Sequence, residues 1–233
     1  MTTTLPPVTI VATTWFPESD DGLRRGLNAC AAFASWREYL IYEGSLCLHV
    51  ADDGSPEDRL ALLDPELEHW AHVTISVQAR RGVGASLNAG LRQAFDHERG
   101  LALYAVDDWA LTGPIDLTPW ARLLWERADV GMVRLGPPHP DLTGRVEALT
   151  GDWQGWALRL DRHHYAFGHR PALYHPRLRD AYGLFAEGVN AYDCERLYAE
   201  QFARTTGPDI VLALPHPWWH LEGPEQADVV PGP

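Results

Sequence analysis

Short apolar runs alternate with longer stretches of helical spacing through the first half of the chain, a pattern that predicts βαβ units around a mainly parallel sheet. Residues 8–12 and 46–50 read as short buried strands, 72–77 as a third, and the apolar run LALYAVDDW at 101–109 as a fourth. Between the first two, 22–42 places Leu23, Leu27, Ala31 and Ala34 at helical spacing and leaves Arg24, Arg25 and Arg37 to face water. After the second strand, the turn sequence AspAspGlySerPro lets Ser55 cap a helix that opens on Pro56. A further helix, entered through glycines, is expected over 82–98, another over 120–127, and a strand over 130–135.

Beyond Gly136 the texture changes to a Pro- and Gly-rich connection, PPHPDLTGR, after which 153–160 and 165–174 alternate more as strands do. Residues 190–205 read as a helix, 210–214 as a last short strand, and the segment from 222 as a polar, Pro-rich tail. There is no internal repeat, and the expected organisation is one α/β domain in two halves. No apolar run approaches the roughly 20 residues that cross a bilayer, and the opening MTTTLPPVTI lacks the basic-then-apolar build of a secretory signal. A cytoplasmic protein is expected.

Charge narrows the chemistry. Across 233 residues, 19 basic against 32 acidic side chains give a net charge of −13, and every basic residue is Arg. That excludes a Schiff-base lysine and a phosphate-loop lysine. It also disfavours DNA binding through a broad basic face, although a local Arg cluster can still hold a small anion. Cys30, Cys47 and Cys194 are odd in number and have no metal-ligand spacing, so core thiols are expected rather than nucleophiles or a zinc site. Ten Trp residues offer faces for bases and sugar rings, with core packing the competing use.

Four segments then stand out because each follows a strand: ThrThrTrpPhe at 13–16, AspAspGlySer at 52–55, ArgArgGlyValGly at 80–84, and the pair Asp107 and Asp108. In a parallel sheet all four fall on the carboxyl edge, where open α/β sheets bind ligands. Together they supply a flat aromatic, carboxylates for base or ribose donors, a guanidinium for phosphate and a pair of hard-metal ligands. Such a set suits a nucleoside diphosphate. Arg81 suits the diphosphate, with Arg80 as the alternative one position earlier.

The order VTIVATTWF, LHVADDGSPED, ARRGVGASLNAGLRQA and ALYAVDDWAL resembles the family 2 glycosyltransferases of GT-A fold over residues 8–112, with a weaker echo from Pro171 onward. The resemblance implies a GT-A fold, a Rossmann-like mainly parallel sheet flanked by helices with a mixed acceptor-side half. It divides a catalytic domain over 1–233 into a nucleotide-sugar half (1–112), an acceptor half (113–221) and a tail (222–233). It implies that Asp53 meets the nucleobase edge, with Thr13 beside it and Trp15 against the ring, while Asp52 braces the turn. It also implies that Asp108 binds a divalent cation, Mn or Mg, with Asp107 a ribose or supporting partner. Asn88 and Gly90 match the family's Asn and Gly pair, and Trp109 stands where a further acid is often found.

The second constellation is GlyLeuPheAlaGluGlyValAsnAlaTyrAspCysGlu at 183–195. Inverting transfer needs a carboxylate to take the acceptor hydroxyl's proton. By resemblance Asp193 holds that position and Glu187 is the reserve; an acid near a helix start also serves as a cap. Of the histidines, at 163, 164, 169, 175, 216 and 220, His220 or His216 is placed to complete the metal site, and Trp153, Trp156, Trp218 and Trp219 lie in the acceptor half. The expected activity is metal-dependent, inverting transfer from a nucleoside diphosphate sugar to a hydroxyl acceptor, whether glycan, lipid-linked, protein or small molecule. Two alternatives stand beside it: transfer to a modified nucleobase in DNA, and a nucleotide-sugar-binding module without turnover. A nucleotidyltransferase is set aside because its glycine loop and lysine are missing.

Overall fold

The computed structural model describes residues 5–137, 141–149, 155–162, 166–213 and 217–221, with 147–149 and 155–156 as backbone only. Strand β1 (Val8–Thr14) leads into helix α1 (Asp20–Tyr39), then β2 (Leu40–Ile41) and β3 (Leu46–Asp52). Two one-turn helices follow, α2 (Glu57–Leu60) and α3 (Asp64–Leu67), before β4 (Val73–Val77), α4 (Val83–Arg92) and β5 (Leu101–Val106). The remainder comprises β6 (Trp109–Leu111), β7 (Ile115–Asp116), α5 (Thr118–Glu126), β8 (Val130–Arg134), β9 (Gly144–Leu149), β10 (Gly155–Leu160), β11 (Ala172–Tyr174), α6 (Pro176–Tyr182), α7 (Ala191–Arg204), β12 (Asp209–Ala213) and β13 (Trp218–His220).

Nine of these strands form one sheet in the order β4-β3-β1-β5-β11-β8-β12-β10-β9. The first four are parallel, β11 runs antiparallel between β5 and β8, and β12 is parallel to β8. Hydrophobic residues fill both faces. Val8, Ile10, Leu48 and Leu103 pack with Phe33 and Trp36 of α1 and Leu124 of α5, whereas Val11, Tyr104 and Tyr174 pack with Leu87 of α4 and Phe202 of α7. Two-sided burial explains why β1 and β5 are mostly apolar on both faces rather than alternating. No helix of the described residues is long and apolar enough to cross a membrane.

Several expectations need correction. Helix α1 turns the opposite face inward: Gly22, Gly26, Ala29, Ala32, Phe33 and Trp36 are buried, while Leu23 and Leu27 are exposed. Close approach decides this, because a Cβ at Gly22 would overlap the Pro17 carbonyl and one at Gly26 would meet Leu62 Cδ1 at 2.7 Å. Arg25 does not face water either; it points toward Asp107. Pro56, not Ser55, is the residue before α2, since the Ser55 hydroxyl is engaged by Asp52 and by the Phe16 amide. The strand expected over 101–109 stops at Val106, and Trp109 opens a separate ribbon with β13. Helix α4 passes at Gln93–His97 into a π-helical turn, and of the described residues in 165–174 only Ala172–Tyr174 are a strand. Trp153, His163, His164 and His216 lie outside the described residues.

Two imidazoles, that of His49 buried and that of His175 half-buried, couple this fold to pH. His49 of β3 sits with Nδ1 2.7 Å from Thr74 Oγ1 and Nε2 3.1 Å from Ser76 Oγ on β4, and burial pushes its pKa down to about 4. His175 is also pushed to about 4, by burial and then by Arg177. Unfolded histidine titrates near 6.5, so between about pH 6.5 and 4 the unfolded chain binds more protons and stability falls as pH falls. Thermal unfolding across pH 7.5 to 4.5 should show Tm declining through that window, with a shallower decline in His49→Asn. An unchanged slope in the variant removes His49 from this account.

Candidate active site

The carboxyl ends of β1, β3, β4 and β5 share one sheet edge, and two adjacent carboxylates organise it. Asp52, fully buried, accepts at Oδ1 from the Gly54 and Ser55 amides (3.0 and 2.7 Å) and at Oδ2 from the Thr14 and Ser55 hydroxyls (2.8 and 2.6 Å). Asp53 accepts at Oδ1 from the Arg81 amide (2.7 Å) and Gln78 Nε2 (3.2 Å), and at Oδ2 from the Gly82 amide (2.8 Å). Gly54 and Gly82 have φ of +85° and +88°, the left-handed region, and a Cβ at Gly82 would meet the Val189 carbonyl at 2.8 Å. Asp52 therefore braces its turn, as expected. Asp53 holds the 81–82 loop in place with both oxygens and also lines the cavity.

That cavity, about 990 Å³, is lined by Thr13, Trp15, Asp53, Arg80 and Arg81, by Asp108 after β5 and His220 on β13, and by Arg134, His169, Arg170 and Glu195 near β8, β11 and α7. The Arg80 guanidinium lies over the Trp15 ring, 3.5 Å from its centroid, and that of Arg25 is 5.8 Å away. Trp15 is thus on the cavity wall as expected, but Arg80 covers a ring face reserved in the sequence reading for a base. Arg81 pairs with Glu187, whose other oxygen accepts from Asn88 Nδ2 (3.0 Å). Asn88, fully buried, also exchanges bonds with the backbone of Phe185, so it ties α4 to the 185–187 segment. Gly90 serves packing, because a Cβ there would overlap Val11.

Asp107 and Asp108 diverge after β5. Asp107 is buried and faces Arg25 Nη2 at 3.3 and 3.4 Å. Asp108 Oδ2 lies 3.2 Å from His220 Nε2, and its Oδ1 is buried with no hydrogen-bond partner among the described residues. The β6–β13 ribbon makes this meeting: Trp109 pairs with His220 in register, their rings 5.0 Å apart edge to face, and the Asp108 carbonyl accepts from the Leu221 amide. Trp36 Nε1 fixes the ribbon by donating to the Trp109 carbonyl at 2.7 Å. The donor set of one carboxylate and one imidazole, with a buried oxygen left over, fits a divalent cation. No group of three or more metal-ligating side chains is found among the described residues, so other ligands would have to come from substrate or water.

Asp193, the base by resemblance, is not on the described wall. It lies in the first turn of α7, which Asn190 caps: the Asp193 amide donates to Asn190 Oδ1 and its Oδ2 accepts from Asn190 Nδ2, both 2.9 Å, while Oδ1 faces Arg196. Glu187, the reserve, is held by Arg81 and Asn88. The carboxylate on the wall is Glu195, two residues along α7, whose Oε1 accepts from the His169 amide. Glu195, Arg134, His169 and Arg170 were not singled out as site residues from sequence; Glu195 closes the 183–195 stretch, and an Arg closing the apolar strand VGMVR was the signal for Arg134. The Cys194 thiol is pushed up to about 12 by burial, in keeping with a core thiol.

Comparison with known proteins yields a structural match alone. No family model matches the chain, and no curated protein does. Among solved structures, TarS of S. aureus superposes with TM-score 0.62 at 14% identity, covering 92% of this chain and 36% of its own. A mannosyltransferase from Pyrobaculum calidifontis, in complex with GDP-Man and Mn2+, gives 0.54 at 17%, covering 91% and 57%. GalNAc-T7, with UDP, GalNAc and Mn2+, gives 0.58 at 12%, covering 90% and 42%. This chain has the GT-A glycosyltransferase fold. It spans only part of each of these GT-A proteins, and at such identities the likeness is one of fold. Within it, the β5 end that carries Asp108 faces the cavity.

The Asp53 clamp is testable without any ligand. Asp53→Ala leaves the amides of Arg81 and Gly82 without their acceptor, and urea unfolding should register a loss of about 3 kcal/mol. A loss below about 1 kcal/mol shows that the loop does not depend on this carboxylate.

Proposed function

We propose that this chain is a nucleotide-sugar glycosyltransferase that moves a sugar from a nucleoside diphosphate to a hydroxyl acceptor with inversion. The observation that carries the reading is the Asp108–His220 pair, with its unsatisfied buried oxygen, at the centre of the cavity on the carboxyl edge of a GT-A sheet. The solved neighbours bound to UDP-GlcNAc or to GDP-Man with Mn2+ support a nucleotide-sugar donor and a divalent cation.

In this reading the nucleotide lies on the side of Thr13, Trp15 and Asp53, at the ends of β1 and β3. The base stacks on Trp15 once Arg80 moves off the ring, and Asp107, facing Arg25, supports the ribose end. Arg80 and Arg81 then supply charge-assisted bonds to the diphosphate, which Arg does well in the absence of Lys. Asp108 and His220 would hold a Mn or Mg ion, which when bound offsets charge on the departing diphosphate. The acceptor oxygen bonds to the anomeric carbon as the bond from that carbon to the phosphate oxygen breaks. The hydroxyl proton passes to a carboxylate, and the electron pair leaves with the nucleoside diphosphate. Of the carboxylates near the start of α7, we assign that role to Glu195, which lines the cavity, rather than to Asp193, whose oxygens are engaged by Asn190 and Arg196.

Thermal shift with UDP and GDP, with and without Mn2+, followed by release of nucleoside diphosphate from a panel of nucleotide sugars, tests this scheme. Stabilisation that requires Mn2+ and disappears in Asp108→Asn is expected. Turnover should fall at least a hundredfold in Glu195→Gln and less than tenfold in Asp193→Asn. The reverse ranking returns the base to Asp193. Nucleotide binding with no release in any form identifies a binding module, and no stabilisation by either nucleotide refutes the donor site.

A further inference from the structure

We propose that Arg80 sets the preference of this site for nucleoside diphosphates over nucleosides. Its guanidinium competes with the nucleobase for the Trp15 ring, and a ligand whose phosphates draw that guanidinium away gains the ring as well. The proposal rests on the glycosyltransferase reading, which puts the base at Trp15 and the diphosphate beside Asp108. It adds that the two ends of the nucleotide bind cooperatively through one side chain.

The sheet edge sets the order of the parts. Strands β4, β3, β1 and β5 are parallel neighbours, so the chain leaving each arrives at the same edge: Arg80 after β4, the Asp52–Gly54 turn at β3, Trp15 after β1 and Asp108 after β5. Thr13 is opposite Val106 in register, which leaves Trp15 and Asp108 each two residues beyond a paired position on adjacent strands. Arg80 reaches Trp15 across the β3 turn, and Gly54 is what admits it. Gly54 has φ of +85°, and a Cβ there would meet the Gln78 carbonyl at 2.9 Å and the Arg80 amide nitrogen at 3.1 Å. The next amide, that of Arg81, is held by Asp53 at 2.7 Å. The backbone beneath Arg80 is therefore pinned, and moving its guanidinium is a matter of side-chain rotation.

The stack is close but lightly held. The Arg80 guanidinium carbon lies 3.5 Å from the centroid of the Trp15 ring, van der Waals contact that leaves no room for a base on that face. Trp15 is half-buried and Arg80 exposed, and the Arg80 side chain makes no hydrogen bond or ion pair among the described residues. Its neighbours are already engaged: Arg25, 5.8 Å from the same centroid, faces Asp107, and Arg81 pairs with Glu187. Of these three cations, Arg80 alone keeps its hydrogen-bonding edge for a ligand. A cation over an exposed indole is a weak attraction, whereas charge-assisted bonds to phosphate oxygens are strong. A nucleoside must break the stack with nothing offered in return, so its affinity is reduced by the fraction of time the ring is clear. A diphosphate gives the guanidinium a better partner, and the base then finds its platform open. One side chain thus opposes the base alone and favours the diphosphate.

Calorimetric titration of the full chain in the presence of Mn2+ tests this, with UDP and GDP used to find the better-bound base and then the matching nucleoside, uridine or guanosine. Arg80→Ala is expected to move the two ligands in opposite directions. The nucleoside should bind about threefold tighter as the ring is freed, and the diphosphate at least about tenfold weaker as its bonds to the guanidinium are lost. Arg80→Lys, which keeps the charge without the planar fork, should give the nucleoside most of that gain with a smaller loss for the diphosphate. Because the side chain is exposed, Tm should stay within about 2 °C of the wild-type value in both variants. In a Trp15→Leu background, where there is no ring to compete for, the nucleoside's gain from Arg80→Ala should vanish. Weaker binding of both ligands in Arg80→Ala makes Arg80 a phosphate contact and no more, and an unchanged nucleoside affinity shows that the ring is not occluded. Either result overturns the proposal while leaving the donor site in place. A nucleoside gain that survives Trp15→Leu overturns it too, because the gain then has another source. Binding of neither diphosphate to the wild-type chain is a different failure, which removes the donor reading and the proposal with it.

Discussion

Two neighbouring buried carboxylates, Asp52 and Asp53, hold the ends of three strands and the entry to α4 in one arrangement. Between them they accept four backbone amides, two hydroxyls and one side-chain amide. Burying two adjacent negative charges is unfavourable unless each oxygen is bonded, and here all four are. The consequence is geometric. Asp52 fastens β1 to the turn after β3, Asp53 fastens that turn to the Arg81–Gly82 backbone, and the Arg81 carbonyl in turn accepts from the Gly188 amide. The 81–82 and 188 segments thereby meet at the cavity, and Arg80 and Arg81 are held on its wall.

A second device, independent of that clamp, sets the cavity's centre. Trp109 occupies a position where another acid would have extended the carboxylate pair, and it works as a structural element instead. Its ring packs edge to face on His220 and its carbonyl is bonded by Trp36. The short ribbon it begins carries the chain's late histidine to Asp108. The imidazole beside Asp108 thus comes from more than a hundred residues away.

The legible part of the fold follows from burial on both faces. Strands β1, β3 and β5 are largely apolar on both faces, so their existence and their polar ends could be read directly. Helix α1 was legible as a helix but not in its facing, because glycines and alanines rather than leucines permit the close approach to Pro17 and Leu62. Asp108 could be read as a strand-end acid, whereas His220 was tied to it only through the family resemblance, with His216 as the alternative, because a late histidine carries no local mark of its partner. The cavity wall formed by Arg134 and Arg170 could not be read. Arg134 and Arg170 become neighbours only through the antiparallel insertion of β11 between β5 and β8, a topological choice with no local signature. Asp193 was ambiguous in sequence for a related reason, since an acid in the first turn of a helix capped by Asn190 suits both a base and a partner of the helix start.

The central claim is that Asp108 and His220 form the cation seat of a nucleotide-sugar site. Crystals grown with a nucleoside diphosphate and Mn2+, with data collected at the manganese absorption edge, test it most directly. The account predicts an anomalous peak within coordination distance of Asp108 and His220, about 2.0–2.3 Å, and in contact with the diphosphate. A nucleotide bound with manganese elsewhere, or a manganese peak that ignores both side chains, would contradict it.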